Sequence, residues 1–415
     1  MRIAIVGAGI VGAATAYELA GDGHEVVVLE RHASAAEQAS FANPGLLAPA
    51  LLIPWAAPGT GGPVLRQFTG RQGTLRLTRG AGLHSLAWLW RWARAAGQPQ
   101  CAGRLLALAH LGRYSLGRTR EVAGALQADI ETSRGMLVLL RSSGDLELVQ
   151  AALAALREAG AGVHQVDADT ARLIEPGLAT DVPLAGALHA VDGEAGNCRV
   201  FAQQLRQAAQ ERGARFVFNA RIQALSTTPT GVVLAGESTV RPADAVVLCA
   251  GEASAGLLRP LGARLPMQAV HGYSISAPVR EDTHAPQGAV IDPLHRIVIT
   301  RQGQRVRVSG GAELGHAAGV HHAPTLRTLY LALSGWFPGG VLTSSPQVQV
   351  WRGARPTLAD GAPVIGAGPV PGVWVNAGHG ASGWAQACGS ARALADLIGG
   401  RSPALDLQPF SLARF

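Results

Sequence analysis

Ile3-Ala4-Ile5-Val6-Gly7-Ala8-Gly9-Ile10-Val11-Gly12, at the start of the 415-residue chain, reads as a strand that runs through a glycine-rich turn into a helix. A helical pattern follows, and a second strand, Glu25-Val26-Val27-Val28-Leu29, ends at Glu30. Each part has work to do in holding a dinucleotide. Gly7 permits the sharp turn off the strand, and Gly9 admits a pyrophosphate close to backbone N–H groups. Gly12 lets the helix lie against the strand, with the positive end of its dipole facing the anion. Glu30 stands at the strand tip, where a ribose diol is bound. A glycine triad alone is weak evidence; inside a strand–turn–helix–strand frame with the terminal acid it is specific.

Outward from this unit, the composition fits a compact enzyme. Hydrophobic residues make up 48% of the chain and charged residues 15%, and the length leaves room for two or three domains. Cys101, Cys198, Cys249 and Cys388 are scattered with no Cys-x-x-Cys pair, which argues against a disulfide framework and a structural metal site and favours a reducing cytoplasm. The apolar N-terminus is broken by glycines and reads as fold rather than signal peptide, and no stretch is long enough to span a membrane. The formal net charge is +7, yet the chain has no lysine. Schiff-base chemistry on a lysine and a Walker-type phosphate loop are therefore excluded. The arginines read as dispersed, a solvated charge rather than a nucleic-acid footprint.

Several later segments are legible. Trp88, Trp90 and Trp92 with Arg91 and Arg94 form a helical stretch, read as a core or interdomain helix with snorkelling arginines; a helix lying on a membrane surface is the alternative. Helices are expected over 148–160 and 199–213, and strands over 215–218 and 243–249. The latter closes on Ala250-Gly251, and this helix–strand–strand order returns the chain to the first sheet. From Met267 to Gly311 alternating, β-branched runs predict antiparallel strands of a separate sheet. Val373-Trp374-Val375-Asn376 is a strand, Ala377 to Gly383 a glycine-rich turn, and 384–397 a helix. A second strand-to-helix anion nest, so far from the first, implies that both ends of the chain meet one long cofactor. Arg355, in Trp351-Arg352-Gly353-Ala354-Arg355-Pro356, sits where a strand meets a fixed turn. A rigid guanidinium there suits bidentate recognition of a carboxylate, with Arg352 as the neighbouring decoy.

In order, the fingerprint with Glu30, Ser40 with Asn43, Pro54-Trp55-Ala56-Ala57-Pro58-Gly59, Gly272-Tyr273-Ser274, Ile299-Thr300-Arg301, Arg355-Pro356, Asp360-Gly361-x-Pro363 and Gly378-His379-Gly380-x-x-Gly383-Trp384 span nearly the whole chain. Together they resemble the flavin-dependent D-amino acid dehydrogenase family, within the D-amino acid oxidase and glycine oxidase superfamily. The resemblance implies an α/β fold: a Rossmann-type FAD-binding domain assembled from 1–60, 194–262 and 350–415, and a substrate domain of antiparallel sheet plus helices assembled from 61–193 and 263–349. It implies FAD, with its adenosine ribose on Glu30 and its pyrophosphate on Gly7, Gly9 and Gly12, and with Arg31, Ser40 and Asn43 as further cofactor-binding residues. Ala250 and Gly251 pack beside the dinucleotide, Ile222 meets the adenine through its backbone, and Gly378, His379, Gly380 and Gly383 meet the pyrimidine edge of the flavin.

The carboxylate anchor of the family falls on Arg355, which converges with the reading above. Tyr273 falls in the substrate lining. Where many relatives have Lys-Gly-Tyr-Ser this chain has His271-Gly272-Tyr273-Ser274, so His271 either tunes the site or fills the position. His295 falls where relatives often have a tyrosine near the substrate. The implied reaction is oxidative deamination of a D-amino acid to a 2-oxo acid and ammonia, by hydride transfer from Cα to flavin N5. Electrons then pass to a respiratory quinone or another respiratory-chain acceptor, consistent with a cytoplasmic enzyme or one peripheral at the inner face of the cytoplasmic membrane. Two alternatives stay open: a D-proline, hydroxyproline, glycine or sarcosine type of amine substrate, and a non-catalytic dinucleotide-binding redox subunit.

Overall fold

A computed structural model describes residues 1–47, 75–78, 80–315 and 321–415; the Pro54–Gly59 motif and the expected 60/61 boundary lie outside the described residues. The opening stretch folds into the strand Arg2–Val6, the helix Ile10–Gly21 and the strand Glu25–Leu29. Arg2–Val6 pairs in parallel with Glu25–Leu29 on one side and Ala245–Leu248 on the other. Being central, it is apolar on both faces. The full order is Val364–Ala367, Val373–Ala377, Ala245–Leu248, Arg2–Val6, Glu25–Leu29, Arg215–Val217, with only the first strand antiparallel. The chain passes from Arg2–Val6 to Glu25–Leu29 on one side and later returns with Ala245–Leu248 on the other, a reversal that opens a crevice at the carboxyl ends of the strands.

Gly7 belongs to this crevice for a reason beyond the turn. Its φ is +101°, and a Cβ there would meet the Cys249 carbonyl oxygen at 2.6 Å. The ends of two adjacent strands therefore close up only because residue 7 has no side chain. One face of the sheet is covered by helices Ile10–Gly21, Cys198–Glu211 and Gly383–Ile398, whose Ala13, Leu19, Phe201, Leu205, Ala391 and Leu394 share one core. Asn197 caps Cys198–Glu211 by accepting from the Val200 amide. The long helix Cys101–Ala125 adds Leu111 and Leu116 to the same core, so part of the 61–193 segment packs on the first sheet.

The second sheet runs Gln349–Leu358, Met267–Pro278, Arg305–Leu314, Ile297–Gln302, Ala289–Asp292, Ser133–Leu140, Gly186–Ala195, Val163–Val166, with Leu75–Leu77 also paired to Arg305–Leu314. Its pairs are antiparallel except Ala289–Asp292 with Ser133–Leu140 and Leu75–Leu77 with Arg305–Leu314. Segments 61–193 and 263–349 thus contribute strands to one sheet. Gln349–Leu358 pairs with Met267–Pro278 from Gln349 to Leu358, so the chain leaves this sheet only after Leu358, later than the boundary expected at 349/350. A hydrogen-bonded ladder, not a change in composition, fixes that point. In the helix Leu83–Ala96, Trp88 and Trp92 are buried and Trp90 faces outward. Among the described residues no helix is long and apolar enough to cross a membrane, no His/Cys/Asp/Glu group could hold a metal ion, and all four cysteines are free and buried.

Candidate cofactor and substrate site

A cleft of about 430 Å³ follows the carboxyl ends of the first sheet and continues to the near edge of the second. Glu30, Arg31, Ile222, Ala250 and Gly251 line one end; Gly272, Trp351, Arg355, Gly378, His379, Gly380 and Gly383 line the other, and Gly7, Gly9, Ser40 and Asn43 are also on its wall. Both glycine turns and the candidate anchor therefore share one cleft. Gly12 lies behind the wall, where a Cβ would run into the Gly7 carbonyl.

At the dinucleotide end, the Glu30 carboxylate is buried and accepts from the Ala8 amide at 2.7 Å and the His32 amide at 2.9 Å. These bonds aim it along the strand tip. Gly9 has no side chain to cap the helix Ile10–Gly21; the Ser40 hydroxyl does so, accepting from the Ile10 amide at 3.1 Å. Among the described residues a Cβ at Gly9 would have only that hydroxyl within 4 Å, at 3.5 Å, so space stays open over the helix N-terminus for a phosphate. Asn376 Oδ1, on an Asn of the cleft wall, is buried without a hydrogen-bond partner among the described residues, an acceptor left for a ligand. These features fit a dinucleotide. Arg31 is exposed, with Nε at 3.1 Å from His32 Nε2.

Residues 42–45 are held in a way the sequence did not announce. Their four successive carbonyls all turn toward protein donors. Ala42 O accepts from Ser274 Oγ (2.7 Å), Asn43 O from Arg307 Nη1 (2.8 Å), Pro44 O from Thr300 Oγ1 (2.7 Å), and Gly45 O from Trp384 Nε1 (3.0 Å). Ser309 supports Ser274, and the Arg307 Nε donates to Ser276 Oγ at 2.8 Å. Ser274, Ser276, Thr300 and Ser309 are all buried; three strands of the second sheet carry a polar patch whose purpose is to grip this loop. Asn43 contributes by accepting from the Gly45 amide at 2.9 Å, fixing the turn from within.

Arg355 lies beside Gly272 across the strand pair, and a Cβ at residue 272 would occupy the guanidinium's place. Its Nη1 donates to the Gly311 carbonyl at 2.8 Å. Among the described residues no carboxylate pairs with it, and burial alone pushes it down to about 10. It is still a cation at neutral pH, enclosed and short of a counter-charge. Arg352 is the opposite case: its Nη2 lies 3.2 Å from buried Glu313, which Arg76 also approaches at 3.4 Å. Trp351 bounds the cleft near Arg355 and stacks on Phe41 at 4.4 Å between centroids, with the Arg199 guanidinium 4.0 Å from the other ring of that stack, Phe41.

The remaining side chains named from the sequence fall apart spatially. Tyr273 is buried, its hydroxyl accepting from the His322 amide at 3.0 Å; burial pushes that hydroxyl up. It, His271 and His295 are not among the described residues of the cleft wall. His271 stands in the strand Met267–Pro278 opposite Ala354 and Glu313. His295 Nδ1 lies 2.9 Å from Asp292, which also receives Arg141 at 2.6 Å and Trp336 Nε1 at 3.2 Å. Burial raises the Asp292 carboxyl, but its bond to His295 and the charges of His295 and Arg141 outweigh this and hold it below the usual range. His295 thus serves a buried polar knot. His379 turns its Nε2 to Ser390 Oγ at 3.2 Å, and burial pushes the imidazole down to about 3, so it is neutral.

The FAD dependent oxidoreductase family matches residues 2–397. The chain is 37% identical over 422 aligned residues to a D-amino acid dehydrogenase of Cereibacter sphaeroides, covering 100% of this chain and 95% of that protein. Among solved structures, glycine oxidase from Geobacillus kaustophilus superposes with a TM-score of 0.74 at 23% identity, covering 100% of this chain and 99% of that one. L-proline dehydrogenase from P. horikoshii gives 0.73 at 16% identity, covering 100% and 97%. These two likenesses are of fold.

Proposed function

The chain belongs to the FAD dependent oxidoreductase family, and on that premise we propose that it oxidises D-amino acids to 2-oxo acids and ammonia, passing the electrons to a respiratory-chain acceptor such as a quinone. The observation that carries the reading is Arg355: an enclosed guanidinium without a carboxylate partner among the described residues, on the wall of the cleft that fits the dinucleotide. FAD, when bound, supplies the two-electron acceptor for the substrate's Cα–H bond. The chain's own residues bind and orient. Arg355 holds the α-carboxylate by paired charge-assisted hydrogen bonds, and Gly272 fixes the guanidinium plane by leaving room for it alone. Trp351, backed by Phe41, excludes water from the side-chain end. The described wall near Arg355 offers no acid to hold an ammonium group, so the substrate amine is favoured in the neutral form that oxidation requires. The 2-oxo acid follows by hydrolysis of the imine.

A non-catalytic redox subunit would have no use in that position for an arginine that meets no carboxylate among the described residues. The preference for the D-enantiomer and for dehydrogenase over oxidase behaviour is supported by the D-amino acid dehydrogenase relative. A dye-linked assay with D-, L- and N-alkyl amino acids tests the reading: D-substrates turn over with a quinone analogue as acceptor. Turnover confined to sarcosine or proline would replace it with the secondary-amine reading.

We place any peripheral membrane contact on the helix Leu83–Ala96. Leu83, Leu86 and Trp90 are 85%, 52% and 62% exposed. Residues 38–120 hold ten arginines and no Asp or Glu, so the rest of the chain is net negative; the arginine excess is regional rather than dispersed. An apolar ridge in a basic region suits an anionic bilayer surface. The four free cysteines are in keeping with the cytoplasmic side.

A further inference from the structure

Arg307 is a second enclosed cation, separate from the anchor. It projects from the strand Arg305–Leu314, donates from Nε to Ser276 and from Nη1 to the Asn43 carbonyl, and has no carboxylate partner among the described residues. Burial lowers it to about 10. Putting a full charge in this place solely to hold a carbonyl is unnecessary, since Ser274 and Thr300 hold the flanking carbonyls with neutral hydroxyls at 2.7 Å. The loop it grips lines the cleft through Ala42, Asn43 and Pro44. All four carbonyls, the negative ends of the peptide dipoles, are drawn away toward the protein. No bond within the described protein uses the amide N–H of Ala42 or Asn43. The Ala42–Asn43 peptide unit therefore turns its N–H end toward the cleft with a positive charge behind it, whereas Pro44 has no N–H and the Gly45 N–H serves Asn43 Oδ1.

We propose that Arg307 is a positioning residue that makes this wall of the cofactor cleft electropositive, and so raises the reduction potential of bound FAD. Two electrons add negative charge to the cofactor, and fixed positive charge in a medium of low dielectric favours the charged form without reorganisation. A higher potential assists withdrawal of electrons from the amino acid. The inference rests on the FAD site itself and does not depend on which amino acid is oxidised.

The test is the potential of FAD bound to Arg307→Met, Arg307→Lys and Ser276→Ala, measured anaerobically against reference dyes, with FAD content determined for each. R307M is expected to shift the equilibrium at least about tenfold toward oxidised FAD, which is about 30 mV for a two-electron couple. R307K, which keeps the charge, restores most of it, and S276A, which removes one acceptor of the guanidinium, leaves it near the parent value. If R307M loses FAD, Arg307→Gln, which keeps a donor toward Asn43 without the charge, is read in its place. Two results would overturn the inference: an unchanged potential in the neutral variant with FAD bound, or R307K as low as R307M, which would make the role purely structural.

Discussion

Replacing Arg355 by methionine removes the charge and both donors while keeping an unbranched side chain beside Gly272. A hydrogen bond to a charged group contributes about 1.5–3 kcal/mol, so losing two to a substrate carboxylate costs roughly 3–6 kcal/mol. At about 1.4 kcal/mol per tenfold, kcat/KM should fall by roughly 10² to 10⁴. Stability should respond quite differently. The enclosed cation meets no carboxylate among the described residues, so its removal relieves desolvation, whereas loss of the 2.8 Å bond to the Gly311 carbonyl costs about 1.5–3 kcal/mol. The two oppose, and Tm should move by about 3 °C or less. Stopped-flow reduction of bound FAD under anaerobic conditions reads the first quantity and calorimetry the second. Arg355→Lys, with one point charge and no planar fork, should recover only part of the rate. A loss of less than tenfold in R355M, or a large fall in Tm with it, would refute the reasoning, because Arg355 would then be a structural arginine like Arg352.

Gly272→Ala places a methyl group against the Arg355 guanidinium; the far end of a side chain can move aside, so Tm should hold within a few degrees while kcat/KM drops about 100-fold by misplacement of the anchor. For His379 the folded-state value of about 3 lies below the ordinary 6.5, so in that window the unfolded chain binds a proton that the folded chain refuses. Its contribution is complete above pH 6.5 and is lost as pH falls toward 3. Urea unfolding of His379→Asn should accordingly show a shallower loss of stability across that range, and an unchanged slope would contradict a buried neutral ring. Flotation with phosphatidylglycerol vesicles should retain the protein, phosphatidylcholine vesicles should not, and Leu86→Glu with Trp90→Glu should weaken retention at least about tenfold; equal retention of both proteins would remove the helix Leu83–Ala96 from the interface.

The parts of the fold set by local pattern were legible. A central parallel strand must be apolar on both faces, and Ile3 to Val6 and Ala245 to Leu248 are; the turn into Gly383–Ile398 likewise announces itself by its glycines. Arg355 stands out by its motif, but the turn expected at Pro356 is not there: the strand Gln349–Leu358 runs through it, and pairing with Met267–Pro278 is what holds Arg355 in place. What could not be read were relations between distant strands. Ser274, Thr300 and Ser309 look like ordinary polar positions of half-exposed strands, and only the tertiary structure shows them buried against the carbonyls of residues 42–45. Thr300 carries no signal of its own, since it follows the apolar run 297–299 and precedes Arg301 like an ordinary strand end. His295 occupies a place that suggested the substrate, yet Asp292, Arg141 and Trp336 converge there from three elements to use it otherwise. The basic region does not show in the arginines, which run along the whole chain; the missing Asp and Glu between 38 and 120 make it.

The central claim is that Arg355 presents a D-amino acid to FAD in this cleft. An anaerobic single turnover with a D-amino acid and, separately, its L-enantiomer tests it most directly. The D-form should bleach the bound FAD and yield one equivalent each of 2-oxo acid and ammonia, with colour restored by an added quinone analogue. Bleaching by the L-form at an equal or greater rate, or no bleaching by any amino acid, would contradict it.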